Sequence, residues 1–188
     1  MEFRTVDARW LQAENRGTPM TEVLDQCTDG RHDFDFLFGQ WNVFNRQLDR
    51  RLAGSLTWLE FDATADVRPC LGGIGNVDEY RAIFPDGTSL IAMTVRIFDP
   101  ATRLWSLYWA DSRSATLFPP VKGSFRDGAG EFRGEDLQDG VPVSVIFRWS
   151  EITPTSARWE LAMSADGGAT WEWNWTMEFA RVAEPAGQ

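Results

Sequence analysis

The chain has 188 residues, 18 basic against 28 acidic, and a formal net charge of −10 at pH 7. That length suits one domain with a substantial core, and that charge argues against a phosphate-backbone partner, whose binding rests on Lys and Arg, so no nucleic acid is expected. With one histidine, His32, and two cysteines, Cys27 and Cys70, in unlike settings, nothing assembles a metal cluster or a disulfide framework, and no cofactor is expected.

The first residues are polar and lack a basic segment followed by an apolar run, and no stretch approaches the roughly 18 apolar residues that a membrane span needs. A cytoplasmic protein with no membrane partner is the expectation. The segment "TPMTEVLDQC", 18–27, predicts a short helix capped by Thr18 or Thr21. Residues 1–32 therefore read as an N-terminal arm, 33–182 as the folded domain and 183–188 as a flexible tail.

From about residue 40 the apolar pattern has a period of two, punctuated by turns. Asp-Gly recurs at 86–87, 127–128, 139–140 and 166–167, and "DPATR" and "TPTS" supply two more. Asp-Gly suits tight hairpins because both residues tolerate positive φ. Cutting there predicts ten strands: about 40–48, 55–67, 76–84, 89–98, 103–110, 120–126, 130–137, 141–150, 156–164 and 170–181. The links are too short for parallel crossovers, so sequential strands should pair as an antiparallel meander. Closure would remove both exposed edges, which predicts an all-β, up-and-down antiparallel barrel of about ten strands with an interior cavity. Alternate links then fall at opposite rims, with "RPCLGGIGN" at the arm's end and "DSRSATLFPP" at the other; one should cap the barrel and one should border its mouth, and the arm's end is the better candidate for closure. The glycines of "LGGIGN" precede a strand rather than a helix, so they read as a turn or hinge and not as a phosphate loop.

Ten tryptophans against two tyrosines shape the functional reading. In "TWEWNWTMEFARV" the residues Trp171, Trp173, Trp175, Met177 and Phe179 alternate with polar ones, and Ala157, Trp159, Leu161 and Met163 do the same one strand earlier; both rows should point inward. Val143, Val145, Phe147 and Trp149 form a third row. Leu, Ile and Phe would fill a core without indole N–H groups in need of acceptors. The indoles instead predict a π-rich pocket for a hydrophobic or aromatic small molecule, with Asn174, Glu178 or Arg96 as orienting polar groups. "WSLYWAD" and "IAMTVRIF" are apolar on both faces, so part of the outer wall should be covered, by the arm or by a second copy in a homodimer.

The segment "FDFLFGQW", with Phe34, Phe36, Gly39 and Trp41, resembles the Gly-x-Trp opening of the first strand in lipocalin-like (calycin) barrels. The larger series "DFLFGQWNV", "GGIGNVDEY" and "TVRIFDPATRLWSLYWADSR" is similar to the DUF1579 family of uncharacterised bacterial proteins, grouped with the calycins, over roughly residues 33–181. That resemblance implies the barrel and implies that Trp41 plugs one end. Haem-binding members of the superfamily ligate iron with a histidine near the C-terminal end, and none follows His32 here. Some natural-product cyclases are also lipocalin-like and carry an N-terminal lid.

Candidate residues follow from these readings. His32 is the one imidazole and the obvious acid–base group; Glu79 shares a strand face with Arg81, and Arg96 with Thr94, and any of these that point inward would enter buried carboxylate–guanidinium pairs; Asp111 and Arg113 stand where a long rim loop begins, beside Tyr108 and Trp109. His32, Glu79, Arg96 and Asp111 are thus the candidate catalytic residues. Trp41, Arg96, Tyr108, Trp109, Asp111, Arg113, Trp149, Trp159, Trp173, Trp175 and Met177 are the expected ligand contacts. Arg148 and Glu160, from neighbouring strands, are expected on the outer wall. The functional expectation is small-molecule binding in the cavity; its alternatives are a cofactor-free cyclase or isomerase using the same cavity, and a dimeric scaffold whose core is filled.

Overall fold

The computed structural model describes residues 29–183. The expected helix at 18–27 and the last five residues lie outside that range. Ten strands follow in chain order: β1 (Gly39–Leu48), β2 (Trp58–Cys70), β3 (Gly75–Ile83), β4 (Ser89–Asp99), β5 (Leu104–Asp111), β6 (Val121–Arg126), β7 (Ala129–Gln138), β8 (Val141–Ser150), β9 (Ser156–Ser164) and β10 (Glu172–Arg181). Each pairs antiparallel with its sequence neighbours, and β1 closes on β10 through Trp41↔Arg181 to Gln47↔Trp175. The barrel is therefore closed, up-and-down and ten-stranded, as the turn spacing predicts. At 127–128 and 139–140 both Asp and Gly have positive φ, the geometry that lets a two-residue hairpin follow the strand twist.

The inner face carries Trp41, Val43 and Asn45 from β1, Phe61, Ala63, Ala65 and Val67 from β2, and matching alternate residues around the ring, all buried. Burying one large apolar side chain contributes about 1.5–3 kcal/mol. One short strand needs help to pair closely. At Gly123 in β6 a Cβ would lie 1.8 Å from the Glu131 carbonyl oxygen, so only glycine admits β7 at that distance. β5 meets β6 over just three residue pairs, Trp105↔Gly123 to Leu107↔Val121. Beyond them the 112–120 loop lies along β5 through the Phe118 N–H donating to the Trp109 carbonyl.

One end is sealed. A 3-10 helix, Asp35–Leu37, follows residues 29–34 across that rim, and Phe34 and Leu37 are fully buried. Phe34 packs against Trp105, Phe125, Phe132 and Trp149 at ring-centroid distances of 5.0, 4.8, 5.6 and 6.1 Å. Gly39 then turns the chain into β1 with φ of 103°, a region that glycine enters without strain. Trp41, fully buried, donates its indole N–H to the Leu37 carbonyl at 2.7 Å. Arg181 lies over the Trp41 ring at 4.1 Å and donates to the carbonyls of Phe36, Phe38 and Pro154 at 2.5, 2.5 and 2.6 Å. These bonds fasten the plug to β10 and to the β8–β9 link.

The row of indoles in β10 is split, which corrects the expected single face. Trp173 pairs with Ala162 and Trp175 with Leu161, so Asn174 is an extra residue, a β-bulge. Trp175, Met177 and Phe179 face inward. Trp173 faces outward under the Arg148 guanidinium, 4.3 Å from its ring centre, and Trp171 lies beneath Arg133 at 5.8 Å. The bulge buries both Asn174 and Ala162 completely.

Candidate functional site

Inside the barrel, above the plug, is a cavity of about 290 Å³. Its volume stands near the lower end of the roughly 300–1,000 Å³ typical of small-molecule sites. Connectivity places its mouth at the rim opposite the 3-10 helix: the lining includes Gln47 and Arg51 beside the β1–β2 link, Phe84 after β3, Asp111, Arg113, Phe118 and Pro119 around the 112–120 loop, and Glu135 and Asp136 near the β7–β8 turn. The loop "DSRSATLFPP" thus borders the mouth, and the loop after β2, shortened to 71–74 because β2 runs on to Cys70, lies at the sealed end.

The walls are aromatic and mutually perpendicular. Trp175 meets Trp159 at 5.5 Å and 88° and Trp109 at 6.2 Å and 82°. Such edge-to-face contacts set each ring where its neighbour's edge meets its face. Val145, Leu161, Met163, Met177 and Phe179 complete the apolar lining. Asn45 anchors the wall from β1: its Oδ1 accepts from Tyr80 Oη at 2.8 Å and from Trp175 Nε1 at 3.0 Å, while its amide donates to the Val43 carbonyl at 3.2 Å. Burial pushes the Tyr80 hydroxyl well above its ordinary pKa, so it stays protonated and donating.

At the lower wall Arg96 is buried and points inward, and its partner is Asp78. Arg96 Nη2 donates to Asp78 Oδ2 at 2.5 Å and Nη1 to Asn76 Oδ1 at 2.9 Å; Asp78 Oδ1 also accepts from the Thr94 N–H at 2.9 Å. The charge of Arg96 is thereby compensated within the sheet. Glu79 faces outward, exposed and paired with Arg81 at 2.5 Å. Of the two residues considered for a buried pair, Arg96 points inward and Glu79, with its strand neighbour Arg81, lies on the outer wall.

At the mouth Asp111 Oδ2 accepts from Trp109 Nε1 at 3.0 Å, fixing that indole, and Oδ1 accepts from the N–H groups of Arg113 and Ser114 at 2.9 and 2.8 Å. Burial by itself raises the Asp111 pKa, but those hydrogen bonds outweigh it and hold the carboxyl below its usual value. Arg113 lies over Phe84 at 4.5 Å and Arg51 over Trp175 at 5.3 Å. Burial lowers the Arg51 pKa, and the charges of Asp136 and Glu172 oppose that shift. Glu172 also accepts the Leu52 N–H at 2.7 Å, which ties the β1–β2 link to the bulged strand.

The structure thus brings Arg96, Trp109, Asp111, Arg113, Trp149, Trp159, Trp175 and Met177 around one cavity. Trp41 belongs to the plug. Tyr108 pairs with Val95 on the outer face, since Trp105, Leu107, Trp109 and Asp111 hold the inward parity of β5. Trp173 is turned out by the bulge. His32 sits exposed at the sealed rim, its Nδ1 2.8 Å from Asp35 Oδ2, away from the cavity. Of the expected orienting groups, Asn174 is held in the bulge and Glu178 is exposed beside Arg158. Arg148 and Glu160 lie on the outer wall as expected, but pair with Glu131 and Arg158. Asn45, Asp78, Tyr80 and Arg51 were missed; for Asn45 and Asp78 the inward parity of β1 and β3 is the signal that could have found them.

No protein-family model matches the chain, and no curated protein matches it. Among solved structures, an S-type phycobiliprotein lyase, CPES, from Guillardia theta is similar with a TM-score of 0.60 at 10% identity, covering 89% of this chain and 100% of the other. A de novo designed fluorescence-activating β-barrel gives 0.41 at 14% identity, over 79% and 95% of the two chains. At this identity the first likeness establishes the lipocalin-like barrel fold. Among the described residues no helix is long and apolar enough to cross a membrane.

Proposed function

We propose that the protein binds a hydrophobic or aromatic small molecule inside the barrel, between Trp109, Trp159 and Trp175. The observation that carries this reading is the cavity itself: a core of this aromatic content could close on itself, yet an aromatic-walled space remains above a sealed end and beside a rim of polar groups. The similar solved barrel is, by its name, a phycobiliprotein lyase, and the shared fold is in keeping with this reading. Membership in the DUF1579 family rests on the three sequence blocks alone. The cyclase alternative draws no support from the geometry, because Asp78, the buried carboxylate at the cavity, is occupied by Arg96 and the Thr94 N–H. A homodimer keeps one supporting feature, the outer face of β4 and β5, where Ile91, Met93 and Leu104 are exposed; sedimentation equilibrium of the full chain tests it.

Titration with 2-isopropylnaphthalene, followed by tryptophan emission, tests the binding reading. Saturable quenching in the wild type, lost when Ala65→Phe fills the cavity from β2 in a protein that still melts cooperatively, is the expected result. Quenching that is linear in the wild type, or unchanged in Ala65→Phe, would sink it.

A further inference from the structure

The cavity floor holds two hydrogen-bond donors that the protein leaves unanswered. Arg96 is 4% exposed and Trp149 2% exposed, and both line the cavity. The two terminal nitrogens of Arg96 are used by Asn76 and Asp78, but its Nε–H has no acceptor among the described residues, and neither has the indole N–H of Trp149. Both groups lie beside the Phe34 ring, whose centre is 5.4 Å from the Arg96 guanidinium carbon and 6.1 Å from the Trp149 ring. Five other indoles find acceptors: Trp41, Trp105, Trp109, Trp171 and Trp175 donate to Leu37, Gly30, Asp111, Gly168 and Asn45 at 2.7–3.0 Å. A buried donor without an acceptor is destabilising, and native structures rarely keep one without a use.

Charge narrows what can answer these donors. Asp78 already neutralises Arg96 at 2.5 Å, so an anion on the floor would meet a carboxylate without a free cation to offset it. A neutral oxygen with lone pairs meets no such repulsion. The guanidiniums without a salt bridge among the described residues that reach the cavity, Arg51 and Arg113, stand at the mouth instead.

We propose that the cavity selects a neutral, flat, conjugated ligand that carries a carbonyl-type acceptor oxygen at its inner end, received by Arg96 Nε and Trp149 Nε1. This deepens, and rests on, the small-molecule reading above. The aromatic walls take the ring system and the floor takes the oxygen, so the polar atom sets the ligand's direction.

Three probes of one shape separate the alternatives in calorimetric titrations of the full chain: 2-acetonaphthone, a neutral ketone; 2-isopropylnaphthalene, its hydrocarbon counterpart; and 2-naphthoate, the anion. The ketone is expected to bind roughly tenfold more tightly than either of the others, since only it satisfies buried donors without adding charge. Trp149→Phe, which keeps an aromatic ring and deletes the donor, and Arg96→Lys, which keeps the charge and deletes Nε, should each cut that preference, taken as the ratio of hydrocarbon to ketone Kd within the same variant, to about threefold or less. The ketone's carbonyl stretch should fall to lower frequency on binding to the wild type and recover in Trp149→Phe, a readout that a packing effect would not move. Equal or tighter binding of the hydrocarbon or the naphthoate, or a preference untouched by both substitutions, overturns the proposal and leaves the binding reading standing. Failure of every probe to bind overturns both.

Discussion

The two ends of the barrel use the same pair of residue types to opposite purposes. At the sealed end Arg181 lies 4.1 Å over Trp41 and donates three hydrogen bonds to backbone carbonyls of the plug and of the 151–155 link. At the mouth Arg51 lies 5.3 Å over Trp175 and makes no hydrogen bond or ion pair among the described residues. An arginine whose fork is filled by fixed carbonyls holds structure together; one whose fork is free, on an aromatic face at a cavity entrance, has donors to offer. Of these two arginines over indoles, the one at the sealed end fastens backbone and the one at the mouth keeps its donors unused.

Substitutions at each end should break that contrast in order of size. Trp41→Ala removes a fully buried indole from the plug and should lower stability by about 3–5 kcal/mol, read as a large fall in the urea midpoint. Arg181→Met keeps the bulk over Trp41 but leaves three carbonyls without their donor; a loss of about 1–3 kcal/mol is expected in the same assay. Arg51→Ala, by contrast, should change stability by less than about 1 kcal/mol, while altering the emission of Trp175 and speeding probe release in stopped-flow displacement. If Arg51→Ala proves as damaging as Arg181→Met, the division between a structural and a functional end does not hold.

The smallest effect belongs to the mouth's other turn. Hydrogen bonds from Thr170 and Ser164 hold the exposed Asp166 carboxyl far below its ordinary pKa, fastening the β9–β10 link. A carboxylate depressed in the folded state stabilises above the unfolded value of about 3.9 and loses that contribution as pH falls toward the folded value. Asp166→Ala should therefore melt slightly below the wild type at pH 7, and the gap should narrow in melts taken at successively lower pH under 4. A gap that widens on acidification would contradict the sign.

How far the sequence discloses this molecule differs between backbone and side chains. Asp-Gly pairs and a two-residue period mark local events, so the ten strands, their meander order and the rim of each loop can be read directly. The plug was legible only through the resemblance of the Gly39 and Trp41 segment to the Gly-x-Trp opening of lipocalin-like barrels, and the same Trp41, fully buried beneath the 3-10 helix, was also expected among the ligand contacts. Trp173 was misplaced because alternation assumes an unbroken ladder, and the extra residue Asn174 inverts the parity on its N-terminal side. Nothing in "WEWNW" marks the bulge, since the asparagine that forms it alternates as a solvent-facing residue would. The inward place of Asp78 is hidden for a related reason: "NVDEYRAI" offers polar and apolar residues at both parities, and the pairing that sets Asn76 beside Arg96 and Asp78 beside Thr94 is a property of the closed sheet.

The indole N–H region of a proton–nitrogen NMR spectrum tests the central claim most directly, because the tryptophans report from the plug, the cavity and the outer wall at once. On addition of 2-isopropylnaphthalene, the signals of Trp109, Trp159 and Trp175 should move saturably, while those of Trp58, Trp171 and Trp173, held on the outer wall by Arg46, Arg133 and Arg148, should stay in place. Movement confined to the outer three, or none at any indole, would contradict an internal binding site.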